Sequence, residues 1–142
     1  MPVGQVLLYP VIDPSCDSPS QRRLATGYFT TRAALQWYWR QYLGDAGIPD
    51  PAYLVAPARA ASLAGLPPAV VVTGTLDPLH SEGVAYADRL RSEGVGVVHR
   101  DFRGLFHGFL TMMSFPPAVA ARELLWSDMR ALLSARVAEP AS

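Results

Sequence analysis

The sequence predicts an α/β fold, a parallel sheet of about three strands with flanking helices. Apolar runs of strand length stand at residues 5–12, 69–73 and 95–102. The first two are nearly unbroken, the pattern of strands buried on both faces. Segments with apolar residues at three- and four-residue spacing separate and follow these runs, as amphipathic helices require. Such alternation of strand and helix closes into a parallel sheet through right-handed crossovers.

Each element has a local reason. Gln5-Val6-Leu7-Leu8-Tyr9-Pro10-Val11-Ile12 forms the first run, and Asp13-Pro14-Ser15 ends it. Residues 15–23 are polar and rich in turn formers. Thr30 or Thr31 then offers an N-cap for a helix over 32–43, whose Leu35, Tyr38, Trp39 and Tyr42 share one apolar face before Gly44 stops it. Residues 44–68 hold many Gly, Pro and Ala without a sustained period, so a long connection is predicted, with at most one helical turn near 59–63. Ala69-Val70-Val71-Val72-Thr73 is a β-branched strand closed by Gly74. Residues 81–93 predict a helix with Val84, Ala85, Ala87 and Leu90 on one side, which Tyr86 can join, and Glu82, Asp88, Arg89, Arg91 and Glu93 on the other. After Gly94, the run at 95–102 shades from apolar to alternating, as expected nearer a sheet edge. Pro116-Pro117 opens a last helix running to about residue 138, with Val119, Leu124, Leu125, Met129, Leu132 and Leu133 in helical period.

Composition narrows the function classes. The 142 residues suit one domain, and a chain that is 50% hydrophobic and 17% charged has the apolar content for a core without disulfide or metal. Its 12 basic residues, all Arg, are balanced by 12 acidic ones, which argues against nucleic-acid binding, since that calls for a basic patch. The single Cys16 excludes an internal disulfide and a multi-Cys zinc cluster, and a buried or half-buried free thiol is expected. No His pair stands at i, i+4 with a Glu, and neither GxGxxG nor GxxxxGK occurs, so no metal and no cofactor are expected. The early apolar run at 6–9 is stopped by Pro10 and lacks a charged leader, so the expectation is no signal peptide, no membrane span and a cytoplasmic location.

In an open parallel sheet, reactive groups gather beyond the carboxyl ends of the strands. Gly74-Thr75-Leu76-Asp77-Pro78-Leu79 follows the second strand, and Gly104-Leu105-Phe106-His107-Gly108-Phe109 follows the third. Asp77 and His107 can therefore meet, the carboxylate accepting the Nδ1 proton and holding the imidazole as a general base. A structural reading stands beside this one: Asp77 followed by Pro78 also makes a helix N-cap with Pro in the first turn, and His107 beside Gly108 also suits an ordinary loop. His80 and His99, at a helix start and within a strand, carry less signal.

The residues Gln5-Val6-Leu7-Leu8-Tyr9-Pro10, Gly65-Leu66-Pro67-Pro68-Ala69, Asp77-Pro78-Leu79, Glu82-Gly83, Tyr86-Ala87, Gly94-Val95 and His107-Gly108-Phe109 run in order through nearly the whole chain. In combination they resemble the hormone-sensitive-lipase-like branch of the α/β-hydrolase fold. That resemblance implies a serine carboxylic-ester hydrolase, with Asp77 as its catalytic acid and His107 as its catalytic base. Residues 1–142 then form part of the catalytic domain, and 15–45 resemble part of the lid inserted after the sixth strand. Tyr28, Phe29, Trp37 and Tyr38 would border an acyl pocket for short-chain esters, although aromatic residues at helical spacing also serve as plain core. Position 80 carries His where the family often has Arg, and position 81 carries Ser where an acid is common.

In this fold the order is Ser, then Asp or Glu, then His, with the Ser in a G-x-S-x-G elbow and part of the oxyanion hole in an HGGG-type motif. Neither motif occurs; Ser81 in Leu79-His80-Ser81-Glu82-Gly83 comes nearest and lacks the first glycine. The expectation is the C-terminal part of such an enzyme, inactive alone, whose first strand presents an unpaired apolar edge that homodimerisation or another association would hide. The alternative is a non-catalytic α/β binding or interaction module in which Asp77 serves only as a cap.

Overall fold

The computed structural model describes residues 2–137. Its sheet has the order β1 (Gln5–Leu8), β2 (Ala69–Gly74), β3 (Val97–Phe102), and both pairings are parallel. Gln5 lies opposite Ala69, and Val71 lies opposite His99. Helices α1 (Pro19–Arg23) and α2 (Arg32–Leu43) belong to the long β1–β2 connection, α3 (His80–Ser92) crosses from β2 to β3, and α4 (Pro116–Val137) follows. The residue-138 end expected for the last helix lies outside the described residues.

β2 organises the core because it is buried along its whole length. Ala69 and Val71 point to one face and pack with Leu63, Tyr86, Ala87 and Leu90. Val70 and Val72 point to the other and pack with Leu105, Phe109, Ala118, Ala121 and Leu125. This is the period-2 alternation of a strand, with both faces apolar because a helix covers each. Each fully buried Val or Leu contributes about 1.5–3 kcal/mol.

The first strand departs from expectation. Only Gln5–Leu8 is strand, half-buried with Leu8 exposed, because β1 pairs on one side alone and the backbone turns left-handed at Tyr9. β3, the other edge, is half-buried and begins two residues later than expected, at Val97. Helix α1 was not foreseen: Ser18 accepts the Gln21 N–H while the Gln21 side chain accepts the Ser18 N–H, a capping box on a helix too short to show a period. Residues 44–68 hold three short helical turns, Gly44–Ala46, Ala52–Leu54 and Pro57–Arg59, rather than one near 59–63. The α2 boundaries match, with Thr31 Oγ1 accepting the Ala34 N–H and Gly44 as stop. Its buried face is narrower than expected: Leu35 and Trp39 pack with Cys16 and Leu79, whereas Tyr38 and Tyr42 are exposed. Cys16 is a buried free thiol. No helix among the described residues is long and apolar enough to cross a membrane.

Helix α3 sits close to β2 at Gly83, where an added Cβ would lie 2.8 Å from Thr73 Cγ2. Gly83→Ala would gain roughly 1 kcal/mol in helix propensity. Overpacking against a buried β-branched residue costs about 1–3 kcal/mol and reverses the sign. Urea unfolding is expected to show Gly83→Ala with a lower midpoint than the wild type.

Candidate active site

Two loops at the carboxyl rim of the sheet hold the site. The β2–α3 loop is a tight turn in which the Asp77 N–H donates to Gly74 O at 3.0 Å. The loop after β3 lies against it: the Leu76 N–H donates to Leu105 O at 2.9 Å, the Thr75 N–H to Phe102 O at 3.1 Å and the Gly104 N–H to Thr75 Oγ1 at 2.9 Å. This approach requires glycine at position 74, since a Cβ there would lie 2.5 Å from the Leu105 carbonyl oxygen. Buried Leu105 and Phe109 anchor the second loop in the core on either side of His107.

The lacing brings Asp77 and His107 together. His107 Nδ1–H donates to Asp77 Oδ2 at 3.0 Å, and Asp77 Oδ1 accepts the Leu79 N–H at 2.8 Å. The acid is 2% exposed and the imidazole 22%. Asp77 thus divides its oxygens, one bonding the backbone of the turn that leads into α3 and the other the imidazole. The capping geometry differs from the expected one: the helix starts at His80, Leu79 holds the cap position, and Pro78 precedes the helix. His107 Nε2 has no hydrogen-bond partner among the described residues. A buried carboxylate fixing Nδ1 while Nε2 is free is the geometry of a general base oriented by an acid.

Two further residues stand in this environment. Tyr9, to which the sequence assigns no site role, places its ring 4.7 Å from the His107 ring. Burial and the Asp77 charge push its phenol pKa up, so the hydroxyl stays protonated. Glu82, assigned by periodicity to the polar side of its helix, is buried instead. Its Oε1 accepts the Ile12 N–H at 2.9 Å and its Oε2 accepts Gln21 Nε2–H at 3.0 Å, tying the β1 exit and α1 to α3. The departures at 80 and 81 also find partners. His80 Nε2 bonds Asp101 at 3.1 Å, and Ser81 and Ser20 exchange backbone-to-hydroxyl bonds at 3.1 and 2.9 Å.

The four aromatic residues expected at an acyl pocket divide. Tyr28 and Phe29 line a cavity of about 240 Å³ with Leu76, Phe106 and Met112, beside the His107 loop. Phe29 is 75% exposed and its ring lies 5.9 Å from that of Phe106. Tyr38, 59% exposed, lines a separate cavity of about 420 Å³ with Val11, Leu35, Trp39, Tyr42 and Val55. Trp37, 50% exposed, packs edge-on against Tyr38.

Burial, the largest influence, pushes the Glu82 pKa from 4.5 to about 7. A carboxyl raised in this way binds its proton more tightly folded than unfolded, so its ionisation opposes the fold as pH rises from about 4.5 through about 7. Urea midpoints are therefore expected to fall across that interval in the wild type and to fall less in Glu82→Gln.

A family model described as alpha/beta hydrolase fold matches residues 1–111. The carboxylic ester hydrolase LipN of Mycobacterium tuberculosis is 37% identical over 135 residues, covering 94% of this chain and 36% of that protein. The ethyl acetate hydrolase of Pseudomonas putida is 37% identical over 114 residues, covering 78% of this chain and 34% of that protein. Among solved structures, a bacterial heroin esterase superposes with a TM-score of 0.86 at 32% identity, covering 92% of this chain and 43% of that one. The chain thus spans little more than a third of the length of the curated relatives it matches. On its sheet order, its motifs and these matches, the chain belongs to the α/β-hydrolase fold family, in the hormone-sensitive-lipase-like branch of ester hydrolases.

Proposed function

We propose that Asp77 and His107 are the acid and base of a serine carboxylic-ester hydrolase whose nucleophile is carried on polypeptide that this sequence does not contain. The observation that carries the reading is the 3.0 Å bond from His107 Nδ1 to Asp77 Oδ2, with the acid buried. The turn before α3 needs only the Asp77 Oδ1 bond to the Leu79 N–H; the bond to His107 is superfluous to it. In the reaction, His107 Nε2 takes the proton of the attacking Ser hydroxyl as the acyl bond forms, then returns it to the departing alkoxide. Asp77 stabilises the imidazolium without taking its proton. Water, activated by the same nitrogen, then releases the acyl group. The cavity of about 240 Å³ at Tyr28 and Phe29 supports a short acyl chain as the group accommodated beside His107.

The 142 residues contain neither the G-x-S-x-G nucleophile nor the HGGG-type donors. Residual catalysis after loss of a triad member, about 10³–10⁴-fold over water, comes largely from oxyanion stabilisation and binding. The isolated chain is accordingly expected to leave short-chain p-nitrophenyl esters at the buffer rate. Turnover by it that vanishes in His107→Ala would contradict this. Joined to the Ser-bearing portion of a relative, the chain is expected to support hydrolysis, with Asp77→Asn lowering kcat by about 10⁴-fold through the wrong imidazole tautomer. A joined protein that folds and hydrolyses the ester equally well with His107→Ala would overturn the assignment.

A further inference from the structure

We propose that Tyr9 is a positioning residue for His107, its ring holding the imidazole plane so that Nδ1 stays on Asp77 and Nε2 stays turned away. The inference rests on the reading of Asp77 and His107 as an acid–base pair, and two independent observations carry it.

The first is backbone conformation. Tyr9 follows β1 directly, and its N–H still donates to Val72 O at 2.7 Å, so the strand ladder fixes its place. Its φ is nevertheless +37°, a region that bulky residues rarely enter. A strained residue of this kind persists only where its surroundings over-determine it, and such residues cluster at functional sites.

The second is what the strained turn delivers. The Tyr9 ring meets the His107 ring at a centroid separation of 4.7 Å with planes at 62°, an edge-on contact. The Tyr9 ring also packs against the fully buried Phe109, 5.9 Å away at 61°, which ties it to the core. An imidazole held by one hydrogen bond can still pivot about its Cβ–Cγ bond. A ring packed on its flank blocks that pivot. The hydroxyl of Tyr9 has no hydrogen-bond partner among the described residues, so the ring, not the oxygen, does the positioning.

Nitrogen NMR of the full 142-residue chain, labelled at histidine, reads this directly. In the wild type the His107 tautomer protonated at Nδ1 is expected to exceed the other roughly tenfold, as a hydrogen bond to a carboxylate implies. The His107 ring protons should show NOEs to the Tyr9 ring. Tyr9→Phe should reproduce both features, whereas Tyr9→Leu should cut the tautomer ratio by roughly threefold or more with the fold intact by circular dichroism. An unchanged ratio in a folded Tyr9→Leu overturns the proposal. Should that variant not fold, wild type and Tyr9→Phe decide: missing NOEs to the ring at position 9, or equal tautomers in Tyr9→Phe, overturn it as well. Asp77→Ala in the same spectra tests the pair separately, because survival of the Nδ1 preference there defeats the acid–base reading whatever Tyr9 does.

Discussion

The burial of β2 on both faces is the constraint on which the rest of the molecule depends. A strand covered by α3 on one side and α4 on the other is apolar from Ala69 to Val72, its buried Thr73 hydroxyl is satisfied by His99 and Asp101, and it must find hydrogen-bonding neighbours along both edges. With β1 and β3 both parallel to it, all three carboxyl ends reach the same rim. Tyr9, Asp77 and His107 each lie within a few residues of one of those ends. The site is therefore a consequence of strand direction before it is a consequence of any particular side chain.

Once the rim is built, precision comes from backbone contacts. Gly74 lets the Leu105 carbonyl approach closer than any Cβ would allow, and the Leu76 N–H then bonds that same oxygen. The Asp77 carboxylate divides its two oxygens between the start of α3 and the imidazole. A carboxylate with one oxygen fixed to backbone has little rotational freedom left for the other, so bracing the turn before α3 and orienting the histidine are a single mechanical task.

What the sequence revealed follows the range of each signal. β2 and α2 were legible because β-branched runs and Thr caps act within a few residues, and the boundaries of α2 agree at both ends. The Asp77 and His107 pair was legible because parallel topology places consecutive loops side by side. The length of β1 was not legible, since its apolar run continues past Tyr9 while the backbone there turns left-handed. Helix α1 escaped periodicity, although Ser18-x-x-Gln21 spells its capping box. Glu82 was misplaced for a different reason: on a helical wheel it belongs with the charged side, and only the long-range approach of Ile12 and Gln21 encloses it. The separation of Tyr38 from the cavity at Phe106 is likewise a tertiary fact that no local spacing encodes.

Glu82 also shows which electrostatic effect prevails at the start of α3. It lies in the first turn, where the helix dipole favours an anion by about 0.3–1 kcal/mol, and up to about 2 in a partly buried setting. Two neutral donors add hydrogen bonds to it. Against these stand burial and the charges of Asp13 and Asp77, and the balance leaves its pKa raised to about 7. At about 1.4 kcal/mol per pKa unit, the rise from 4.5 to about 7 is a net opposition to ionisation of about 3–4 kcal/mol, so burial outweighs what the dipole offers. The donors at Ile12 and Gln21 therefore account for the position of this carboxyl better than charge does, because an acid that resists ionisation still accepts two hydrogen bonds. Its place in the structure is that of a polar rivet between α3 and the connection leaving β1.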